Sequence, residues 1–220
     1  VNPELIREYA PLVLAGFATT LGLAALVLLL AMPLALAVAI CRHLRLPLLG
    51  RLCGAYVQTF RAVPALIVLY FAFYGLPRLG LSLQPFPAAA LAMTLTSVAY
   101  VSEDFRAALA SVPRGQWDAT HALGLPIGHA IRRIILPQAL PVLVPPVMTN
   151  AIVTLKATSV ASLVGVRELT GASLAAMAIT FSATDFLVLA AVLYLTITGV
   201  LAGLQVAAER WVRRRYGTGP

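Results

Sequence analysis

Residues 115–137 read GQWDATHALGLPIGHAIRRIILP, a long polar and basic interruption in a chain that is otherwise strongly apolar. Pro113, just ahead of it, suits the first turn of a helix, where its missing N–H costs nothing. Asp118 lies near that start and complements the positive end of the helix dipole. Gly124 can take the left-handed conformation that closes a helix, and Pro126 stops the helix from continuing. The stretch therefore predicts a short, terminated helix over residues 115–123, with Ala119, Ala122 and Leu123 forming a small apolar face. A second amphipathic turn follows, with Ile127, Ile131, Ile134 and Ile135 on one side and Arg132 and Arg133 towards the other. Pro137 is expected to open the next apolar segment. Read physically, such an element either lies on a membrane surface or docks as a peg into a groove on a partner.

The surroundings of this stretch are those of a membrane protein. Of 220 residues, 60% are hydrophobic and only 11% charged, whereas a soluble domain carries roughly a quarter charged residues. The net charge of +8 does not point to nucleic acid. The arginines sit in short clusters between apolar runs, as membrane topology requires, and no basic face is interleaved with aromatics. Cys41 and Cys53 match no metal-ligand spacing, and His43, His121 and His129 form no HxxxH or HExxH pattern. No metal site is expected. There is no GxxxxGK[ST], so no P-loop nucleotide site.

In chain order, residues 12–40 are uncharged and nearly all apolar, longer than the ~20 residues that span a bilayer. A basic loop (41–51) leads to a second segment, 52–77, apolar except for Gln58, Thr59 and Arg61. A Gly/Pro-rich connection over 75–87 precedes a third apolar segment, 88–110, whose latter half carries Ser97, Tyr100, Ser102, Glu103, Asp104 and Arg106. The polar loop 111–137 follows. Residues 138–157 form a fourth segment interrupted by Pro141, Pro145 and Pro146, where the backbone is expected to break. Residues 158–183 are mixed, and 184–208 form a last apolar helix ahead of a basic tail.

This predicts an all-α membrane protein with about five transmembrane helices. With the N-terminus outside, the inner loops and tail hold Arg42, Arg45, Arg51, Arg106, Arg114, Arg132, Arg133, Arg210, Arg213, Arg214 and Arg215, against Arg7, Arg78 and Arg167 outside. The arginine bias thus sets an N-out, C-in orientation. A sixth span over 158–183 would put the basic tail outside, so a partly re-entrant or interfacial segment is expected there.

The spacing of the polar loop resembles that of the permease subunits of ABC importers, whose cytoplasmic loop reads E-A-A, three residues, G, nine residues, I-x-L-P. Here Asp118-Ala119-Thr120, Gly124 and Ile134-Ile135-Leu136-Pro137 stand at those positions. The resemblance extends over nearly the whole chain, to the polar amino-acid uptake branch. It is carried by Arg61-Ala62-Val63-Pro64, by 99–106 (AYVSEDFR), by 112–118 (VPRGQWD), by Leu136-Pro137-Gln138-Ala139 and by 155–160 (LKATSV). Ala62-Val63, where that branch has Gly-Thr, is the largest departure. In the loop motif Asp118 stands for Glu and Thr120 for Ala; both changes are small but could weaken the fit to a partner.

The resemblance implies a type I importer permease, a single transmembrane domain (1–220) with its coupling loop at 111–137, lodged as a multi-pass protein in the bacterial cytoplasmic (inner) membrane. It implies no enzyme and no cofactor in this chain, with ATP and Mg bound by a partner ATPase. The implied partners are two cytoplasmic ABC ATPase subunits, a second permease copy or a sister permease, and an extracytoplasmic substrate-binding protein. The implied substrate is a polar or charged amino acid, or a similar zwitterion such as an opine or ectoine-like compatible solute. The ATPase-coupling residues would be Gly115, Gln116, Asp118, Ala119, Thr120, Ala122, Leu123, Gly124, Leu125 and Pro137. A stand-alone secondary carrier is a poorer match, because no internal inverted repeat is visible. A membrane scaffold without transport is the third class.

The pathway is marked only by polar residues within apolar segments. Intramembrane charges are costly and normally face a partner or water. Arg61, Glu103, Asp104 and Lys156 are the candidates. Glu103 and Arg106, three apart, can simply pair. Arg61 can snorkel to the interface. Lys156, after a long apolar run, is expected to be buried, as a gate, an ion-pair member or a substrate contact. Asn150, Thr154 and Thr158 make a stripe at four-residue spacing, and Tyr70 and Tyr74 repeat that spacing. Each set either lines the pathway or bonds one helix to another. Ser97 and Tyr100 complete the candidate set.

Overall fold

The computed structural model describes residues 2–44 and 46–216; Arg45, one of the arginines that set the orientation, lies outside the described residues. Helix α1 (Pro3–His43) opens on Asn2, whose side chain accepts the Glu4 N–H at 3.0 Å, with proline in the first turn. Its 41 residues extend about 60 Å at 1.5 Å per residue. Its buried face is mostly small: Gly16, Thr20, Ala24, Ala31, Ala35 and Ala39. Helix α4 (Pro85–Ser111) presents Ala88, Ala89, Ala92, Ala99 and Ala108 in return. Small residues on both sides let the two backbones approach, which is how helices associate where water does not drive them together. Leu23 and Val27 cluster with Ala88–Ala92, and Ala31, Ala35 and Ala39 with Val98, Phe105 and Leu109, so α1 and α4 run in the same direction.

The second apolar segment is not one straight span. Helix α2 (Leu49–Ala62) and the run Ala65–Leu79, which begins as α3 (Ala65–Tyr70), meet at 105°. Pro64 supplies the reason: it pushes Val63 into the extended region (φ −84°, ψ 130°) and ends α2 there. Counted as one bent span, this pair brings the candidate crossings to five.

The polar loop first forms α5 (Arg114–Ala122). Helix α6 (Ile127–Ala130) then passes through a widened π turn, Ile131–Ile135, straight into α7 (Leu136–Ala157). Pro137 therefore does not open a separate segment. It lacks the N–H that would close an ordinary turn, and the widened turn just before it absorbs the defect. Nor do Pro141, Pro145 and Pro146 break the fourth span, because α7 runs through all three.

A 3₁₀ stretch, Thr158–Val164, and a left-handed Gly165 (φ 90°) lead to α8 (Leu169–Thr180). At 12 residues, or about 18 Å, α8 is too short to cross a bilayer of ~30 Å. One face of it packs on protein: Leu169, Ala172, Ser173 and Ala176 are buried. Gly16 meets Ala172 and Thr20 meets Glu168, which sets α8 antiparallel to the first half of α1. The last helix, α9 (Ala183–Tyr216), packs Phe186 on Tyr9 edge-to-face at 5.9 Å and Tyr194 on Glu168. It therefore runs parallel to α1 and brings its basic end to the same face as the polar loop 111–137.

Candidate functional site

At that face, α5 is a short peg with a defined stop. The Gly124 N–H donates to the His121 carbonyl at 2.9 Å and the Leu125 N–H to the Thr120 carbonyl at 3.1 Å. This is the reciprocal pair of a Schellman cap, and it needs the positive φ of Gly124, +64°. Pro126 then caps α6. Two contacts fix the peg to the bundle. Trp117 stacks on His43 of α1 with centroids 4.8 Å apart, and Gln138 of α7 donates to Gln116 at 3.2 Å.

Gly115, Gln116, Asp118, Ala119, Ala122, Leu123 and Gly124 are exposed, Leu123 to 72%. Leu125 and Pro137 are half-buried. Thr120 does not share this surface. It is 1% exposed and donates its hydroxyl to the Trp117 carbonyl at 2.7 Å. The departure from alanine at this position is therefore turned inward and leaves the exposed face of Ala119, Ala122 and Leu123 unaltered.

Above the peg, Glu103 joins α1 to α4. One carboxylate oxygen accepts from Arg42; the other accepts from Arg106 Nε and Nη2 at 2.9 and 2.7 Å. The expected Glu103–Arg106 pair thus exists, with Arg42 of α1 as a third member that the local spacing did not announce.

The middle turns of α4 and the outer turns of α7 enclose a cavity of about 460 Å³ that reaches Ala65 of α3. Its polar lining is Thr96, Ser97, Tyr100, Asn150 and Thr154; Met93 and Val153 contribute apolar wall. The Ser97 and Thr154 hydroxyls are 3.4 Å apart, and the Asn150 amide donates to Asp104 at 2.5 Å. The Arg61 guanidinium lies over the Tyr100 ring, 5.5 Å from its centroid.

Of the candidate pathway residues, the structure brings Ser97, Tyr100, Asn150 and Thr154 together. It separates four others. Thr158 is buried and bonds the Leu155 carbonyl at 2.7 Å; the helix tightens to 3₁₀ at this residue, so the four-residue stripe loses its register. Tyr70 and Tyr74 stack on each other edge-to-face at 5.7 Å and are not in the cavity lining. Lys156 is exposed on α7 rather than buried, because the faces of α7 that pack inward hold Thr154 and Leu155.

One buried polar residue escaped the sequence reading. Glu168 is fully buried and caps α8, accepting from the Thr170 and Gly171 N–H groups at 2.9 and 2.8 Å. It also accepts from Tyr194 of α9 at 3.0 Å and Thr20 of α1 at 3.3 Å. An acidic residue directly ahead of the apolar run 169–179 is an N-terminal helix signal and the available clue.

A family model described as "binding-protein-dependent transport system inner membrane component" matches residues 31–214. The probable amino-acid ABC transporter permease protein PatM of Vibrio harveyi is 31% identical over 212 residues, covering 95% of each chain. The L-cystine transport system permease protein TcyB of Bacillus subtilis is 36% identical over 167 residues, 76% of this chain and 71% of the relative. A crystal structure of an amino acid ABC transporter with histidines superposes with a TM-score of 0.86 at 27% identity, covering 96% of this chain and 98% of that one.

Proposed function

The chain belongs to the inner membrane components of binding-protein-dependent transport systems, and we propose that the solute it admits is a polar or charged amino acid. It is a permease subunit of an ABC importer, a multi-pass protein of the inner membrane, and not itself an ATPase. Such a system includes an ATPase and a substrate-binding protein. In the arrangement proposed here, two cytoplasmic ATPase subunits, each binding ATP and Mg, receive the α5 pegs of two permeases, identical or sister chains. A binding protein outside delivers the solute.

The observation that carries the substrate reading is the cavity between α4 and α7. Its volume is within the ~300–1,000 Å³ of small-molecule sites. Hydroxyl and amide groups line it, and both signs of charge flank it, with Arg61 on Tyr100 and Asp104 behind Asn150. A zwitterion needs an acceptor for its ammonium and a donor for its carboxylate, and this margin holds both. The amino-acid permeases among the similar proteins support the same class.

ATP binding would close the ATPases, draw the pegs inward and switch the bundle between inward-open and outward-open as a two-state body. Glu103, by holding Arg42 and Arg106 together, would keep the inner ends of α1 and α4 moving as one.

The test is uptake of a labelled amino-acid panel by the complete importer in proteoliposomes. Asn150→Leu and Thr154→Val, which remove polar groups from the cavity without touching α5, should lower uptake about tenfold, equivalent to ~1.4 kcal/mol. Loaded binding protein should still stimulate ATP hydrolysis in both. Wild-type uptake rates in the two variants, or uptake driven by an ion gradient with no ATPase present, would defeat the reading.

A further inference from the structure

A second cavity, about 440 Å³, lies under the peg, between α5 and the inner ends of α1 and α4, and Arg42, His43, Arg106, Arg114, Trp117 and Asp118 stand in its lining. It is separate from the α4–α7 cavity, shares none of its residues, and has no part in the substrate reading. Three guanidinium groups face two carboxylates here. Arg42 and Arg106 share Glu103. Asp118 is four residues from Arg114 on one helix, yet Arg114 makes no ion pair among the described residues. One positive charge is thus left without a counter-charge in a concave setting. Behind the basic groups the wall is apolar, with Leu109 and Val112 buried. Trp117, flat against His43, forms part of the rim.

This combination has a specific chemical complement. A guanidinium presents a planar fork of donors that matches phosphate oxygens in bidentate fashion. The cavity sits where the chain leaves the cytoplasmic side of the bilayer, where anionic headgroups concentrate and each nearby arginine attracts them. Tryptophan is enriched at that depth. We propose that the cleft beneath α5 binds a phosphate group, centred on Arg114 and completed by Arg42 and Arg106, and that the apolar wall favours the headgroup phosphate of an anionic phospholipid. Because Arg114 and Trp117 belong to α5, an occupied cleft braces the peg against α1 and α4. This consequence rests on the reading of α5 as the coupling element; the binding itself does not.

The experiment uses the complete importer in nanodiscs of phosphatidylcholine carrying rising fractions of brominated phosphatidylglycerol. Tryptophan fluorescence is compared between wild type and Trp117→Phe, so that the difference reports on Trp117. Saturable quenching of that difference signal is expected with brominated phosphatidylglycerol and not with brominated phosphatidylcholine. The half-saturating lipid fraction should rise about tenfold in Arg114→Gln and return most of the way in Arg114→Lys, which keeps the charge. Displacement by inorganic phosphate assigns the site to free phosphate, and resistance to it assigns the site to the lipid headgroup. Equal quenching by both brominated lipids, or an unchanged titration in Arg114→Gln, overturns the proposal. ATPase retention and stimulated hydrolysis are read on the same samples. Loss of the lipid effect with coupling intact therefore fails this inference alone.

Discussion

Gly124→Val is expected to abolish uptake and binding-protein-stimulated ATP hydrolysis almost completely, and Gly124→Asn to preserve much of both. The reason is conformational. Gly124 holds φ at +64°, and a Cβ built there meets nothing within 4 Å of this chain. A side chain is thus refused by the backbone rather than by a neighbour. The left-handed region costs an L-residue roughly 1–2 kcal/mol, more if β-branched, whereas asparagine visits it readily. Losing that conformation also releases the two cap hydrogen bonds from Gly124 and Leu125, and the chain no longer turns sharply enough to hold Ala119, Ala122 and Leu123 outward. The order of the series is diagnostic. If conformation governs, Asn outperforms Ala despite its greater bulk; if the partner's groove simply lacks room, Ala outperforms Asn. Uptake and hydrolysis of the three complexes in proteoliposomes, with ATPase retention on purification as the docking readout, decide between them. Wild-type coupling in Gly124→Val would remove Gly124 from the coupling element.

The same residue shows what the sequence can announce. A helix stop made of Gly124 and Pro126 is local chemistry, written within a few residues, and the structure places it where the spacing predicts. The arginine clusters and the apolar runs are likewise local, and the five crossings follow from them. What depends on a second segment is silent. The tightening at Thr158 takes that residue off the cavity face although its four-residue spacing from Thr154 is intact. The bend after Ala62 comes from Pro64, whose local preference was visible but whose 105° consequence needed α4 to pack against. Lys156 follows an apolar run and is nonetheless exposed, because a run of apolar residues in a membrane helix does not say which face meets protein. Arg42 joins Glu103 across 61 positions of sequence, beyond the reach of any i, i+3 rule.

Glu168→Ala is expected to be the most destabilising single substitution outside the coupling loop. The carboxylate is fully buried and accepts four hydrogen bonds, from two backbone N–H groups of α8, from Tyr194 of α9 and from Thr20 of α1. Thr20 also accepts the Leu169 N–H at 3.0 Å, so three helices meet at one side chain. Removing it costs the helix cap about 1 kcal/mol. It also leaves the buried Thr20 hydroxyl without an acceptor at ~1–3 kcal/mol, while Tyr194 keeps the Thr170 hydroxyl at 3.2 Å, for a total on the order of 3 kcal/mol. The close crossing one turn away gives no slack: a Cβ on Gly16 would lie 2.5 Å from that of Ala172 and 2.9 Å from the Glu168 carbonyl oxygen. At roughly 2–4 °C per kcal/mol for a chain of this size, the melting temperature should fall by about 10 °C. Glu168→Gln keeps one acceptor oxygen and should lose about half as much. Thr20→Val removes both the donor to Glu168 and the acceptor of the Leu169 N–H, so in the Glu168→Ala background it should lose only the second part of its cost, the first partner being already gone. That non-additivity separates a shared network from three independent contacts. Thermal unfolding of the wild type, the three single variants and the double variant, followed by tryptophan fluorescence, checks it. A Glu168→Ala protein melting within a degree or two of wild type would show that α8 is held by its apolar face alone.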